Sequence, residues 1–188
     1  MNEQRPLPVG TAVRAVVRCI VTTQLLLLRR RVHLPRPHVG LRLRFADGTS
    51  APVYRETVVD RPAPVDPCIL VVEFRLRLVR GRGHAVFRPV SLLNTPLFVG
   101  FPGFVSKLWL ANDARDVYRG VYEWDGPAAA EAYARALWRV LALVSGRGSI
   151  HYRVVPGIRR SELLAHPQLL TREERPDSTD WWRLVDVA

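Results

Sequence analysis

The stretch FVSKLWLANDARDVYRGVYEWDGPAAAEAYARAL, residues 104–137, decides the fold because it holds two strands and a helix in direct succession. Residues 104–111 and 117–125 are rich in β-branched and aromatic side chains, which are typical of strands, and residues 112–116 between them are turn-forming. Residues 126–146 begin with Gly-Pro, continue with an alanine-rich body and end at a glycine, which indicates a helix. The stretch therefore predicts an antiparallel hairpin followed by a helix.

Regular elements also lie on both sides of this stretch. Residues 68–79 predict a strand whose even positions are all apolar, residues 85–103 predict a helix interrupted by prolines, and residues 149–158 predict a last strand. The resulting order is β-α-β-β-α-β, the ferredoxin-like split βαβ arrangement. We therefore predict an α+β chain with a ferredoxin-like domain at residues 68–158.

Residues 1–67 predict an N-terminal extension to this domain. Valine and isoleucine recur at helical spacing over residues 11–32, and residues 41–60 predict a β-hairpin that turns at Asp47-Gly48. Proline-containing linkers follow both elements. The extension is thus expected to be an amphipathic helix plus a hairpin.

Residues 159–188 predict a C-terminal tail with one short helix at 161–170. The pair Trp181-Trp182 is too apolar to lie free in water. We expect this pair to dock on the core of the chain or on a partner chain.

Basic residues outnumber acidic ones, 28 to 17, for a net charge of +11 and a pI of about 11.0. Lys107 is the only lysine, so the other 27 basic residues are arginine, a bias that indicates GC-rich codon usage. Dedicated nucleic-acid binders usually mix both residues, since lysine also contacts phosphate. We therefore do not expect a nucleic-acid partner.

The apolar segment at residues 11–28 is interrupted by Arg14 and Arg18, so we do not predict a membrane span. An amphipathic helix lying on a membrane through residues 11–31 remains an alternative. The polar N-terminus shows no signal peptide, and the spacing of Cys19 and Cys68 suits free thiols. These features predict a cytoplasmic protein.

A short motif in the strands carries a family resemblance. K-x-W on one strand is followed by G-x-Y-x-W on the next: Lys107, Trp109, Gly120, Tyr122 and Trp124. With the Ala/Tyr-rich helix that follows, this motif resembles the YdhR-like monooxygenases of the dimeric α/β-barrel superfamily, over about residues 68–158. The resemblance implies a homodimer whose sheets pack face to face, with a pocket for flat aromatic substrates between each sheet and its helices. The superfamily also includes decarboxylases, isomerases and haem-handling enzymes.

Lys107 is the first candidate catalytic residue. A lysine inside an apolar pocket loses hydration, its pKa falls, and it can act as a base or bind a substrate oxyanion. The alternative is a surface lysine, or one paired with Glu73 or Glu123 across the sheet.

Two histidines, His84 and His151, are further candidates for a general base. His84 alternatively lies in solvent at a helix start. His151 alternates with Tyr152 on the last strand, so only one of the two side chains can face a pocket.

Several polar and aromatic residues are candidates for substrate binding: Arg88, Asn94, Phe98, Trp109, Tyr122, Trp124 and Tyr152. Aromatic residues on strands can instead belong to the core of the sheet, and Asn94 can be a surface amide.

The chain has no CxxC or HExxH motif, no glycine-rich nucleotide fingerprint and no nucleophile elbow. We therefore expect neither a metal nor a cofactor, and a small cofactor-independent enzyme acting on a hydrophobic aromatic or polyketide-type substrate. Monooxygenation is the leading reaction, with cyclisation or isomerisation second. A non-catalytic ligand-binding or dimerisation module is the alternative from another class, and haem binding is a third.

Overall fold

A computed structural model describes residues 6–77, 91–171 and 180–188 of this chain. The candidates His84 and Arg88 lie outside the described residues. The helices are α1 (Val9–Leu28), α2 (Pro127–Val144) and α3 (Arg160–Ala165), with 3-10 helices at Ser91–Leu97 and Pro167–Thr171. The strands are β1 (Val32–His33), β2 (Arg42–Phe45), β3 (Ser50–Val59), β4 (Pro67–Arg75), β5 (Phe104–Leu110), β6 (Val117–Asp125), β7 (His151–Pro156) and β8 (Leu184–Val187).

The described strands form one antiparallel sheet in the order β7-β4-β6-β5-β3-β2-β8, with β1 paired to the far end of β3. Within it, β6 lies between β4 and β5, and β4 lies between β6 and β7. Each crossover thus spans one intervening strand, which is the split βαβ arrangement of the ferredoxin-like fold. The α+β prediction and the predicted hairpin of β5 and β6 are confirmed.

Two predicted helices differ from the structure. The helix expected at 11–32 spans Val9–Leu28, because Arg30 adopts a left-handed conformation (φ 54°) that turns the chain away. The helix expected at 85–103 is, in its described part, a 3-10 helix at Ser91–Leu97. Proline at position 96 has no N–H to donate, so a regular α-helix cannot continue through it.

The predicted N-terminal extension joins the sheet directly. Strand β3 pairs with β5 of the ferredoxin-like unit, with Thr57 opposite Lys107 and Arg55 opposite Trp109. A bulge between Val53 and Arg55 interrupts this ladder. The extension therefore contributes side chains to the same sheet surface as the domain.

The two faces of the sheet have separate apolar clusters, because neighbouring residues of a strand point to opposite sides. We call the face that carries Lys107 and Trp109 the helix face, since α1, α2 and the first 3-10 helix cover it. We call the other, which carries Leu108 and Val121, the tail face. Trp124 is fully buried in the helix-face cluster, a burial of the kind that contributes about 1.5–3 kcal/mol per large side chain.

The chain's own C-terminal segment covers the tail face. Strand β8 pairs with β2, and Trp181 and Trp182 lie half-buried against the tail-face cluster. The Arg153 guanidinium lies 5.2 Å from the Trp182 ring centroid. A dimer with sheets packed face to face would need this same surface, so the homodimer that the resemblance implies stays a prediction.

Helix α1 packs closely on the turn that follows the first 3-10 helix. Among the described helices, α1 is long and apolar enough to cross a membrane by length and composition. Its Cys19 and Thr23 are nevertheless buried against the domain, and the Cys19 thiol donates to the Pro96 carbonyl at 3.2 Å. A Cβ on Gly100 would overlap the Cys19 carbonyl oxygen and lie 2.8 Å from the Thr23 backbone nitrogen.

We expect Gly100→Ala to separate α1 from the domain and to lower the free energy of unfolding by about 1–3 kcal/mol, since the overlap is with backbone. Urea denaturation and hydrogen exchange of α1 amides measure both effects. Gly10→Ala is the control, because a Cβ there meets nothing within 4 Å and alanine favours a helix by about 0.5–1 kcal/mol. Equal stability of the two variants would contradict the tight contact.

Candidate active site

A cavity of about 430 Å³ opens between the helix face of the sheet and helix α2. The first 3-10 helix and strand β3 contribute to its wall. Nine aromatic rings from the described residues line it: Tyr54, Phe74, Phe98, Trp109, Tyr118, Tyr122, Tyr133, Trp138 and Tyr152. A cavity of this size and lining suits a flat, largely apolar small molecule.

Lys107 points into this cavity. It shares the helix face with Trp109 because the two residues are two apart on β5, and its side chain is 7% exposed. Its Nζ lies 3.2 Å from the Trp109 ring centroid and 4.6 Å from the centroids of Phe98 and Tyr122. The ammonium group is therefore surrounded by aromatic rings.

The ion-pair alternative for Lys107 is not realised. Glu73 lies on the tail face, where it pairs with Arg119 at 3.1 Å. Glu123 accepts a hydrogen bond from the Ser106 hydroxyl at 3.3 Å, also on that face. In residues 6–77, 91–171 and 180–188, no carboxylate lies within salt-bridge distance of the Lys107 ammonium.

Burial lowers the pKa of Lys107 well below its ordinary value of 10.5, and the positive charge of Arg55 lowers it further. The Arg55 guanidinium carbon lies 3.9 Å from the centroid of the same Trp109 ring. Cation–π contact with the three rings favours the protonated lysine and opposes this lowering of the pKa. The site therefore holds a lysine that gives up its proton far more readily than a surface lysine does.

Two tyrosines supply hydrogen-bond donors beside the lysine. The Tyr133 hydroxyl donates to the Tyr122 hydroxyl at 3.3 Å, which leaves the Tyr122 O–H for a ligand. Burial raises the pKa of both phenols, so both remain neutral donors at neutral pH. The Trp109 indole N–H donates to the Thr57 hydroxyl at 3.0 Å, which holds the ring in place under the lysine.

Gly120 leaves the space that Lys107 and Tyr122 occupy. It lies opposite Trp109 on the neighbouring strand, and a Cβ there would be 2.7 Å from Cε2 of Tyr122 and 3.2 Å from Cε of Lys107. The glycine of the G-x-Y-x-W motif is thus explained by packing around the lysine rather than by a turn.

We expect Gly120→Ala to displace the Lys107 and Tyr122 side chains while the chain still folds, since both contacts are with side chains that can rotate. Binding of an aromatic ligand, followed by quenching of tryptophan fluorescence, should weaken by roughly tenfold, or about 1.4 kcal/mol. Gly10→Ala is a control for a general glycine effect, because a Cβ there meets nothing within 4 Å and Gly10 is not among the cavity-lining residues. Unchanged affinity in Gly120→Ala would contradict the proposed packing.

The structure separates the candidate substrate-binding residues into two groups. Phe98 and Tyr152 line the cavity beside Lys107, as Trp109 and Tyr122 do, and Asn94 lies exposed at the edge of the cavity. Trp124 is instead packed in the core, with its ring centroid 4.8 Å from that of Tyr133. Trp124 therefore belongs to the core of the sheet and does not line the cavity.

His151 lies on the opposite face of the sheet from Lys107. Its side chain lies on the tail face, half-exposed, with Nδ1 3.2 Å from a Glu73 oxygen and its ring 6.1 Å from that of Trp181. Tyr152 is the residue of this pair that faces the cavity. No histidine of the described residues lines the cavity, so haem ligation there has no support from them.

Sequence reasoning missed several residues of the site, among them the lining residues Tyr54, Tyr133 and Trp138 and the nearby Arg55. Tyr54 and Arg55 approach Trp109 because the bulge in β3 changes its alternation, which a period-two pattern does not show. Tyr133 and Trp138 belong to the inner side of α2. Helical spacing with the buried Ala130 and Ala134 was the available signal for Tyr133.

No protein-family model matches the chain, and no curated protein matches it significantly. Among solved structures, the chain is similar to an uncharacterised ferredoxin-fold protein from Listeria monocytogenes 4b F2365, described as related to antibiotic biosynthesis monooxygenases. The two are 12% identical with a TM-score of 0.43, and the match covers 60% of this chain and 66% of the other. Membership of the YdhR-like family stays a prediction.

Proposed function

We propose that the protein is a cofactor-independent enzyme that removes a proton from a flat aromatic or polyketide-type substrate, with Lys107 as the base. The observation that carries this proposal is the burial of Lys107 among aromatic rings, with no carboxylate partner among the described residues. The lowered pKa makes the deprotonated amine of Lys107 easier to form than that of an ordinary lysine, and the deprotonated amine is the form that accepts a proton.

The cavity residues suit the charge that this step creates. Proton transfer from an acidic C–H to the Lys107 amine leaves an enolate or phenolate anion beside a new ammonium group. The Tyr122 hydroxyl is a neutral donor for the anion's oxygen, and the ammonium pairs with the anion. Aromatic walls keep water out, which strengthens both interactions.

Monooxygenation is the leading reaction after deprotonation. The carbanion of an activated methylene group donates electrons to O₂ and forms a hydroperoxide at that carbon. Loss of water then leaves a ketone, so one oxygen atom enters the product and the other leaves as water. The substrate supplies all the electrons, and the protein needs to supply only the base, the donors and a dry cavity.

Cyclisation and isomerisation need the same base and the same donors, so they are alternatives to monooxygenation. Consumption of O₂ distinguishes monooxygenation from both. A non-catalytic binding module would use Lys107 in its charged form to hold an anionic ligand, and the lowered pKa disfavours that form. The convergence of Lys107 with the Tyr122–Tyr133 pair therefore favours catalysis over binding alone.

Flat ketones with an acidic methylene group, beginning with anthrone, test this function. We expect the protein to speed deuterium incorporation from D₂O under anaerobic conditions and O₂ uptake in air, and Lys107→Met to abolish both. Exchange without O₂ uptake would support an isomerase or cyclase. Neither exchange nor uptake above the rate of the Met variant, across ligands that bind, would refute the proposal.

A further inference from the structure

The Lys107 amine has a second reactivity besides accepting a proton. A neutral amine carries a lone pair that attacks carbonyl carbon, and lysines that lose hydration next to another cation are the ones that form Schiff bases. Lys107 has both features, since it is buried among Phe98, Trp109 and Tyr122, and the positive charge of Arg55, which contacts the same Trp109 ring, acts on it.

We propose that Lys107 captures flat aromatic aldehydes or ketones as an imine in this cavity. The inference rests on the same neutral amine as the proposed function, but it assigns a covalent step. The nitrogen attacks the carbonyl carbon to form a carbinolamine, a C–N bond forms and the C–O bond breaks. The oxygen and both N–H protons leave as water, so no oxidant or reductant is needed.

The surroundings of the amine favour this step. Gly120 leaves room for the Lys107 side chain, since a Cβ there would be 3.2 Å from Cε of Lys107, and the lysine lines the cavity that a carbonyl compound would enter. Tyr122, whose ring centroid is 4.6 Å from Nζ, is a neutral phenol able to protonate the leaving hydroxyl group. Its hydroxyl is linked to that of Tyr133, which can resupply the proton.

The cavity also disfavours hydrolysis of the imine. Its described walls are mostly aromatic and aliphatic, so water is scarce around the carbon that hydrolysis would attack. A volume of about 430 Å³ accepts a bicyclic or tricyclic ring system attached to the carbonyl group.

Reductive trapping tests the inference, and the chain is unusually suited to it. Lys107 is the only lysine in the sequence, so the N-terminal α-amino group of the purified chain is the other primary alkyl amine to compare with it. The protein is treated with 2-naphthaldehyde and sodium cyanoborohydride at pH 7, and the adducts are located by intact mass and peptide mapping. The α-amine serves as an internal reference.

We expect labelling of Lys107 that saturates with aldehyde concentration and is blocked by naphthalene, while labelling of the α-amine rises linearly. Lys107→Met should keep only the α-amine adduct. An α-amine adduct with Lys107 unlabelled in the folded wild-type protein would overturn the inference. Deuterium exchange without trapping would overturn the imine and support Lys107 as a base only. Trapping without deuterium exchange would refute the proposed function and support the imine.

A separate observation concerns the outward side of α1. Its outward apolar residues form a ridge at four-residue spacing: Val9, Val13, Val17, Val21 and Leu25. Each is 48% to 57% exposed, and Leu28 at the helix end is 80% exposed. The opposite side of the helix, with Ala12, Cys19 and Thr23, is buried on the domain.

The charges around this ridge indicate what covers it. Residues 6–46 contain eight arginines and no aspartate or glutamate. Arg14 and Arg18 lie exposed beside the ridge, and residues 29–31 are three consecutive exposed arginines at its end. Two copies of this helix would bring like charges together at one seam, whereas a phosphate-rich surface neutralises them. We infer that α1 lies on an anionic membrane surface with its ridge among the acyl chains.

Vesicle sedimentation tests this inference. The protein should pellet with vesicles of phosphatidylcholine plus phosphatidylserine and not with phosphatidylcholine alone. Val17→Asp combined with Val21→Asp should abolish pelleting, while Val65→Asp, at a residue 92% exposed elsewhere, should not. Absence of pelleting would overturn the inference, as would a dimer in light scattering that the double Asp variant dissociates, since a second copy would then cover the ridge.

Discussion

Lys107→Met is expected to make the protein more stable and inactive at the same time. Methionine has a similar length and no charge, so it removes the cost of burying an amine that has no carboxylate partner among the described residues. We expect a rise in Tm of a few degrees, which for a chain of this size corresponds to roughly 1–2 kcal/mol. Loss of the base should lower the rate of proton abstraction by about 10²–10⁴-fold.

The pH dependence of stability separates this explanation from general repacking. Burial puts the pKa of folded Lys107 below 10.5, its ordinary value. Between those two pKa values the unfolded chain binds more protons than the folded chain, so wild-type stability should rise with pH in that window. The Met variant should lack this rise in urea denaturation, and an identical pH dependence in both proteins would contradict a buried neutral amine.

The pH dependence of activity has the same origin. The base works when it is deprotonated, so kcat/KM should rise with pH through the pKa of Lys107 in the free enzyme. That rise should be complete well below pH 10.5, because burial lowers the pKa.

Arg119→Met is expected to be the most destabilising substitution in the described part of the tail face. The Arg119 guanidinium is almost fully buried and lies 2.8 Å from Asp47, 2.8 Å from Asp113 and 3.1 Å from Glu73. Its removal leaves carboxylates buried without their cation, which costs about 3–5 kcal/mol. For a chain of this size Tm should fall by roughly 10 °C.

Arg115→Met is the matched control for Arg119→Met. Its guanidinium also pairs with Asp47, at 3.6 Å, but the side chain is 56% exposed. An exposed pair contributes about 0–1 kcal/mol, so this variant should remain close to wild type. Because burial raises the pKa of Glu73, the Arg119 variant should regain part of its stability at acidic pH. Equal losses in the two variants would refute the buried-cluster explanation.

The local parts of the fold could be predicted because their causes lie in adjacent residues. The alternation in 104–111 and 117–125 and the alanine-rich run that follows are enough to predict β5, β6 and α2. The helix predicted at 85–103 differs in its described part, since Pro96 favours the tighter 3-10 geometry there.

The candidate site could be predicted only in part. Two-residue spacing puts Lys107 and Trp109 on one face of β5, and the same rule puts Tyr122 on the helix face of β6. The rule could not say whether His151 or Tyr152 faces the cavity, because that depends on which face of the sheet α2 covers. It also missed Tyr54 and Arg55, which reach the site through a bulge and a pairing about 50 residues apart in sequence.

The sequence by itself determined the strands of the central hairpin, the helix after it and the shared face of Lys107, Trp109 and Tyr122. The tertiary structure alone decided which segments cover each face of the sheet. Strand β3 and helix α2 enclose the lysine, while the C-terminal segment covers the opposite face. Burial depends on contacts between distant segments, and it is burial that lowers the pKa of Lys107 and makes an ordinary residue reactive.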